Sequence, residues 1–340
     1  MATAPTVSQI APADFDWASS AGVAEGVRRT VAAAASTDRS RPLDEAALLS
    51  LQHGGLTRST LWVAEVPGAA DNFAGFALAD ATQGSLTDLT DLTDRSVEVN
   101  LVVAPAARRQ GVAHALAASV LDAFPGMGIS AWSHGDHPGA AALATALGFD
   151  RVRDLWVMRR PLDDTLPEVT VPGSLVVRPF EPGRDEQAFL EVNAAAFAEH
   201  PEQGEITRAD LDQRMAQDWF DPAGFFLARS TTPGEHGRLL GYHWTKVHRG
   251  DPSYGEVYVV GVSPSAQGLG LGRLLTLIGL HHLRSLGLGA VILYVESDND
   301  AAVALYRRLG FTHADEDTHV MYAGSSPEGA AAQTLSASRP

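Results

Sequence analysis

The chain of 340 residues contains an internal repeat, and this feature limits its possible folds more than any other. The segment VNLVVAPAARRQGVAHAL (99–116) matches VYVVGVSPSAQGLGLGRLL (257–275). Each copy has the pattern of an apolar strand, a proline turn, a glycine loop and a helix. The prolines Pro105 and Pro264, which follow the strands, are 159 residues apart. A repeat of this length indicates a duplicated domain, because solenoid units are far shorter.

A second pair of segments supports the same duplication. AAALATALGFDRVRDLWVMRR begins at Ala140, and AAVALYRRLGFTHADEDTHVMY begins at Ala301. The glycines Gly148 and Gly310 in these segments are 162 residues apart, so both blocks keep their order and nearly their spacing. The alternation of strands and helices within each half predicts an α/β fold built on a mixed sheet, present twice.

The stretch RRPLDDTLPEVTVPGS (159–174) is punctuated by prolines and has weak hydrophobic periodicity, which is typical of a boundary. We therefore expect an N-terminal domain at 1–165 and a C-terminal domain at 166–322. Residues 323–340, rich in Ala, Ser and Pro, predict a disordered tail. The threonine–aspartate–leucine triplets from Thr87 to Asp94 predict a mobile loop.

Charge and composition exclude several classes of function. The chain carries 25 Lys and Arg against 41 Asp and Glu, and its net charge of −16 repels nucleic acid and anionic lipid. The absence of cysteine excludes disulfides, thiolate metal sites and a cysteine nucleophile. No apolar run approaches the roughly 20 residues that span a bilayer, and the first residues lack the features of a secretion signal. We expect a cytoplasmic monomer with no nucleic acid or membrane partner.

The glycine loop QGLGLGR (267–273) is the strongest indication of a binding site. Glycines allow backbone N–H groups to turn toward one anion, and the helix behind the loop adds its positive N-terminal end, so pyrophosphate is the natural ligand. The loop is not a nucleotide-hydrolase phosphate loop, since no Gly-Lys-Ser/Thr follows, and Arg273 replaces the third glycine of a dinucleotide-binding fingerprint. The structural alternative is a turn that only joins strand to helix, and the recurrence of the loop in the first half weakens it.

The two loops resemble the Gln/Arg-x-x-Gly-x-Gly/Ala motif of the GNAT superfamily of N-acetyltransferases. The matching residues are Gln267, Gly270 and Gly272 in the second half, and Arg108, Gly111 and Ala113 in the first. The resemblance implies two tandem GNAT domains that bind acetyl-CoA as co-substrate, with the loop on the pyrophosphate, the preceding strand on the pantetheine arm, and no metal ion. In the C-terminal domain it assigns cofactor contacts to Val260, Gly261, Val262, Gln267, Gly268, Leu269, Gly270, Leu271, Gly272, Arg273, Asn299, Asp300, Ala301, Ala302, Val303 and Ala304. In the N-terminal domain it assigns them to Leu101, Val102, Val103, Arg109, Gln110, Gly111, Val112, Ala113 and His114.

Glu256 is a candidate general base. Period-two alternation predicts that one face of its strand carries Glu256, Tyr258, Val260 and Val262. This places a carboxylate at one end of the row that faces the thioester, where it could act directly or through a water. The alternative is a solvated glutamate at a strand edge.

Tyr306 is a candidate general acid. Its helical spacing with Leu305 and Leu309 is also typical of core packing, but a tyrosine at this place in the GNAT superfamily protonates the departing CoA thiolate. Aligning the halves puts Val97 opposite Glu256 and Ala144 opposite Tyr306. Glu98 is one residue out of register, which predicts that it points to the other face of its strand. We therefore expect the first half to be a structural or cofactor-retaining copy without catalytic activity.

Strings in the second half, including FAEHPEQG (197–204), GYHWTKVH (241–248) and LYVESDNDAAV (293–303), are similar to the mycothiol synthase family of actinobacteria. That resemblance implies acetylation of the cysteinyl amine of cysteinyl–glucosaminyl–inositol, the last step of mycothiol biosynthesis. It assigns contacts with this small-molecule amine substrate to Glu45, Glu202, Lys246, Glu256 and Tyr294. Two alternatives remain open: acetylation of another amine, such as a peptide N-terminus or an aminoglycoside, and a non-catalytic acyl-CoA sensor. The histidines, His248 among them, show no metal-ligand set and receive no role.

Overall fold

The computed structural model describes residues 4–57, 59–67, 72–82, 96–163, 166–198, 201–250 and 252–324, without the side chains at positions 54, 81, 82, 201 and 202. These residues form two compact units. The first contains the described residues of Met1–Leu155 and of 316–340, and the second contains those of Trp156–Asp315. The predicted loop from Thr87 to Asp94 and residues 325–340 of the predicted tail lie outside the described residues.

The order of helices and strands in the first half is repeated in the second. The first half contains β1 (Thr6–Ile10), α1 (Gly22–Asp38), α2 (Glu45–Leu49), β2 (Ser59–Glu65), β3 (Phe73–Thr82), β4 (Ser96–Val103), α3 (Val112–Ala123), β5 (Gly128–Ser133), α4 (Pro138–Leu147) and β6 (Phe149–Pro161). The second half contains β7 (Leu175–Pro179), α5 (Glu186–Ala196), α6 (Pro201–Gly204), α7 (Arg208–Met215), β8 (Phe225–Ser230), β9 (Leu239–His248), β10 (Tyr254–Val262), α8 (Leu271–Ser285), β11 (Ala290–Glu296), α9 (Asp300–Arg308) and β12 (Thr312–Gly324). Among the described helices, none is long and apolar enough to cross a bilayer.

In the first unit, strands β1 to β5 lie side by side in chain order. Neighbours are antiparallel up to β4, and β5 runs parallel to β4. Residues 320–323 of β12 complete this sheet beyond β5. One face is covered by α1 through Val27 and Ala34, and the other by α3 through Leu116 and Val120. The apolar residues of both helices recur at helical spacing, which buries one side of each.

In the second unit, the strand order is β6-β11-β10-β9-β8-β7. An aromatic core on one face contains Phe189 of α5 with Phe225, Tyr242 and Trp244, all buried to within 1%. An aliphatic core on the other face contains the buried stripe of α8, including Leu277, Leu280 and Leu283. Strand β10 therefore lies between two well-filled layers, and its end leads into the glycine loop.

The compact units differ in extent from the predicted domains at 1–165 and 166–322. Residues 156–161 of β6 belong to the second unit, where the Arg160 guanidinium donates to the Leu309 carbonyl. Residues 316–324 of β12 belong to the first unit because of their pairing with β5. Ala323 and Gly324, which the sequence assigns to the tail, are strand residues. Each sheet is thus completed by a strand from the other half of the chain.

Candidate active site

In the second unit, β10 and β11 separate beside the predicted pantetheine strand. They pair in parallel over three residues, from Gly255 with Val291 to Val257 with Leu293. Strand β10 stays paired with β9 as far as Val262. Among the described residues, the edge of β10 that faces β11 is therefore open over 260–262. An open strand edge can pair with an extended ligand.

The glycine loop of the second unit has the geometry of an anion site. Gly268 and Gly270 have φ angles of 78° and 73°, which glycine adopts without strain, and an added Cβ on either would meet no atom within 4 Å. Gly270 is the N-cap of α8 and offers no side-chain cap. The N–H groups of Leu271, Gly272 and Arg273 open the helix, where no intrahelical acceptor exists. These donors and the helix dipole fit a pyrophosphate group.

The other predicted cofactor residues of this unit lie next to the loop or at α9. Gln267 ends the 3-10 turn Pro264–Ala266, and the side chain of Leu269 is 73% exposed. An added Cβ on Gly272 would lie 3.7 Å from Leu305, so α8 and α9 come close at this point. The segment from Asn299 to Ala304 forms the N-cap and first turns of α9, with the Asn299 side chain accepting a hydrogen bond from the Ala302 N–H.

Strand β10 contains a β-bulge at Tyr258. Its register with β9 shifts between Val257, which pairs with Thr245, and Val259, which pairs with Trp244, so Tyr258 is the extra residue of the bulge. Tyr258 and Val259 both pack into the aromatic core, whereas Val257 and Val260 both pack against the aliphatic core. The extra residue reverses the alternation of side chains. The predicted single face is therefore wrong: Glu256 and Tyr258 lie on the α5 side, and Val260 and Val262 lie on the α8 side.

Glu256 and Lys246 are direct cross-strand partners and lie on the same face. Both are buried, at 5% and 6% exposure. The Lys246 ammonium lies 4.3 Å from the ring centroid of Trp219 and 4.8 Å from that of Tyr258. Cation–π attraction offsets part of the hydration that the buried ammonium loses. The structure thus brings a predicted base and a predicted substrate ligand together.

His248 is the residue that sequence reasoning missed at this site. Its Nε2 hydrogen-bonds the Glu256 carboxylate, and its ring stacks on Tyr254 with centroids 4.5 Å apart. His248 stands two residues after Lys246 on β9, so period-two alternation from Lys246 could have placed it on the same face.

Tyr306 lies on α9 and packs on the α8 side with Val260, edge-on to Phe311. Burial raises the pKa of Tyr306 to about 12, so its hydroxyl keeps its proton near neutral pH. Within the described part of the chain, no group hydrogen-bonds this hydroxyl. The candidate acid and the candidate base thus lie on opposite faces of the sheet.

The three remaining predicted substrate residues are Tyr294, Glu202 and Glu45. Tyr294 of β11 is 43% exposed and shares the face of Ile292, which pairs with Glu256. The backbone of Glu202 lies in α6, but its side chain lies outside the described residues. Glu45 is the first residue of α2, in the first unit.

A buried hydrogen-bond chain connects α6 to Tyr242 of β9, which in turn packs on β10. The Tyr242 hydroxyl donates to Asn193 Oδ1 over 2.5 Å, and Asn193 Nδ2 donates to the Gln203 carbonyl over 2.6 Å. Tyr242 lies against Gly261, where an added Cβ would come within 2.4 Å of its ring. Asn193 and Tyr242 are both fully buried. The chain holds the end of α6, next to Glu202, in fixed relation to the predicted cofactor strand.

The first unit contains a cleft of about 570 Å³ at the equivalent place, lined by Leu101, Val102, Val103, Arg109, Gly111, Val112, Ala113 and His114, among others. Gln110 lies in the same loop, and its amide donates to the Ala106 carbonyl. Arg109 has a φ angle of 63° where the second loop has Gly268. Arg108 makes two hydrogen bonds of 2.7 Å to Asp38 and holds the pKa of that carboxyl below its usual range. The Arg108 side chain is thus bound by a carboxylate of its own unit.

Glu98 of the first unit occupies the position of Glu256 in the second. Glu98 pairs with Ser130 as Glu256 pairs with Ile292, and these partners are 162 residues apart, the spacing of the later repeat block. Strands β3 and β4 pair without a shift in register. Glu98 therefore stands seven residues before the proline of its loop, and Glu256, with the bulge, stands eight before its own. The predictions that Val97 matches Glu256 and that Glu98 faces the other way are wrong for this reason.

At the position of Tyr306 the first unit has Ala144, as predicted from the alignment of the halves. Ala144 is buried and packs with Tyr322 of β12. A carboxylate at the base position is thus retained in the first unit, while the helix tyrosine is absent.

Comparison with known proteins supplies independent evidence. Residues 31–149 and 189–311 each match the family model "Acetyltransferase (GNAT) family". A mycothiol acetyltransferase of Nocardioides sp. is 47% identical over 312 residues, which cover 89% of this chain and 96% of that protein. A mycothiol acetyltransferase of Thermomonospora curvata is 52% identical over 296 residues, covering 87% and 91%.

Among solved structures, a tandem GNAT protein from the clavulanic acid biosynthesis pathway superposes with a TM-score of 0.68. The superposition covers 95% of this chain and 98% of that protein at 20% sequence identity. At this level of identity the likeness shows the fold alone.

Proposed function

Because the chain belongs to the acetyltransferase (GNAT) family and is 47% and 52% identical to two mycothiol acetyltransferases over most of its length, we propose that it acetylates the cysteinyl amine of cysteinyl–glucosaminyl–inositol. Acetyl-CoA is the acetyl donor, and the second unit carries the chemistry. The observation that carries this proposal is the buried pair of Glu256 and Lys246, on the strand that leads into the glycine loop.

Glu256 is proposed to take the proton of the attacking amine. An α-amine has a pKa of about 7.7–8.0, so an appreciable fraction, about a tenth or more, is already neutral near pH 7 and a carboxylate suffices as base, directly or through one water. The amine nitrogen bonds to the thioester carbonyl carbon, and the carbon–sulfur bond breaks. The amine proton goes to Glu256.

Tyr306 is proposed to return a proton to the departing thiolate. Its raised pKa of about 12 keeps the hydroxyl protonated, and its lack of a partner among the described residues leaves that proton available. The open edge of β10 at Val260, Gly261 and Val262 is suited to the pantetheine arm, and the loop from Gln267 to Arg273 to the pyrophosphate.

Lys246 and Tyr294 are proposed to bind the sugar and inositol hydroxyls, and Glu202 is proposed to attract the ammonium form of the amine. Lys246 and the exposed Tyr294 ring share a face with Glu256, which supports this assignment. The first unit is proposed to keep its cleft for acetyl-CoA without catalysing transfer, since Ala144 offers no proton.

The test is product formation by the purified chain with acetyl-CoA and cysteinyl–glucosaminyl–inositol. The acetylated product is identified by mass spectrometry, and CoA is measured by chromatography because the substrate's own thiol reacts with thiol reagents. A peptide and an aminoglycoside serve as competing amines. Preference for either would overturn the substrate assignment, and the absence of CoA release with every amine would favour an acyl-CoA sensor.

Tyr306→Phe tests where the chemistry occurs. The variant keeps the ring and its packing but removes the proton, so single-turnover transfer should fall by roughly 10²–10⁴-fold while acetyl-CoA still binds. The first unit has no counterpart of this hydroxyl, so Tyr322→Phe, which removes the hydroxyl of a different buried tyrosine in the first unit, is the control, with nearly normal transfer expected. Normal turnover of Tyr306→Phe in a folded protein would refute its role as acid.

A further inference from the structure

We propose that His248 is a positioning residue that orients the Glu256 carboxylate for proton abstraction; this inference rests on the proposed function. His248 ends β9, and its Nε2 is hydrogen-bonded to Oε2 of Glu256. The two side chains are only 10% and 7% exposed, so the bond is largely shielded from water. A hydrogen bond between a ring N–H and a carboxylate is charge-assisted and among the stronger ones in proteins.

The bond engages one oxygen of the carboxylate. A carboxylate accepts through both oxygens, so Oε1 of Glu256 is left for an amine or a bridging water. Without His248, the Glu256 side chain could turn among rotamers, and Oε1 would no longer be held in one position. Misplacement of a catalytic group by about 1 Å can cost roughly 10²-fold in rate.

The imidazole is itself held by its neighbours. Tyr254 is its direct cross-strand partner, and the two rings stack with an interplanar angle of 19°. Lys246 precedes His248 by two residues on the same face and stands opposite Glu256. Glu256 is therefore set between a histidine that fixes one oxygen and a lysine whose ammonium is held by Trp219 and Tyr258. Neighbours that fix a functional side chain in this way are typical of preorganised sites.

The variants separate the N–H donor from the ring. His248→Phe keeps an aromatic ring against Tyr254 but removes the donor, and kcat for the amine should fall roughly 10–100-fold with KM for acetyl-CoA unchanged. His248→Gln places an amide N–H near the same point and should stay within roughly fivefold of wild type. His236→Gln, at an exposed histidine in the turn between β8 and β9, is the control and should leave kcat unchanged.

A double-mutant cycle with Glu256→Gln distinguishes positioning from general support of the fold. If His248 acts through Glu256, His248→Phe should have little further effect in the Glu256→Gln background. Additive losses, or equal kcat for His248→Phe and wild type, would overturn the inference. Normal turnover of Glu256→Gln alone would refute the proposed role of Glu256 as base, which is a different result from refuting the role of His248. Thermal melts identify any variant that does not fold. If His248→Phe does not fold, the comparison of His248→Gln with wild type provides the test.

Discussion

Replacing Gly261 by alanine tests the packing that joins the cofactor strand to the aromatic core. The added Cβ would lie 2.4, 2.6 and 2.7 Å from Cε1, Cζ and the hydroxyl oxygen of Tyr242, where carbon atoms normally pack at about 3.5–4.0 Å. Tyr242 cannot retreat easily, because it is fully buried, packs edge-on to Phe189 at 4.8 Å and hydrogen-bonds Asn193. The ring must shift by about 1 Å for the methyl group to fit.

The expected free-energy loss follows from these contacts. Overpacking of a filled core costs about 1–3 kcal/mol, and loss of the Tyr242–Asn193 bond costs about 1 kcal/mol more. Alanine recovers about 0.4–1 kcal/mol by restricting the unfolded chain. The free energy of opening β9 and β10 should therefore fall by about 1–3 kcal/mol. Because Asn193 also holds the Gln203 carbonyl, the disturbance should extend to α6.

Hydrogen exchange of peptides covering 239–262 measures the opening of these strands, which suits a chain of two units better than one global melting curve. Gly272→Ala is the matched control, since its Cβ would meet Leu305 at an ordinary 3.7 Å. In a Tyr242→Leu background, Gly261→Ala should lose most of its effect. Unchanged exchange in Gly261→Ala, or the same loss with leucine at position 242, would refute the reasoning.

Three further outcomes are expected. Gly270→Val should raise the Kd for acetyl-CoA, measured by calorimetry, because its φ of 73° strains a branched residue; an unchanged Kd would remove the loop from the site. Lys246→Ala should raise KM for the amine far more than KM for acetyl-CoA, and equal effects on both would indicate a role in the fold. Burial lowers the pKa of His243 to about 4, so below about pH 6.5 the unfolded chain binds a proton that the folded unit does not, and stability should fall by about 3 kcal/mol toward pH 4. His243→Asn, which can keep the hydrogen bond to Leu275, should flatten that pH dependence in urea titrations; an unchanged slope would assign it to other groups.

Much of the fold could be predicted because the same pattern of strands, glycine loop and helices occurs in both halves of the sequence. The predicted tandem GNAT architecture is confirmed by two separate family matches and by the repeated order of elements. The extent of the two compact units was beyond prediction. The sequence pattern predicts strands at 156–161 and 316–324 but does not identify the strands with which they pair. Only long-range hydrogen bonds, such as those of β12 with β5, decide which sheet each segment joins.

The site was predictable where chemistry stays local and unpredictable where it depends on strand pairing. The glycine loop requires positive φ at Gly268 and Gly270, and the sequence supplies glycine at both. The bulge at Tyr258 leaves no such trace, since tyrosine suits a strand and a bulge alike. The hydrogen bond of His248 to Glu256 also depends on cross-strand register, which alternation within one strand cannot give.

The bulge at Tyr258 also determines how substitutions will be tolerated along the two related strands. In a saturation mutagenesis scan, tolerance along β4 should alternate without interruption from Val97 to Val103, whereas along β10 the phase should invert at Tyr258. A consensus sequence averaged over the two halves without a gap would pair Glu256 with Val97 and so mix residues from opposite faces. A designer who recombined the halves would have to delete or add one codon at this point, or bury charge where the core requires valine.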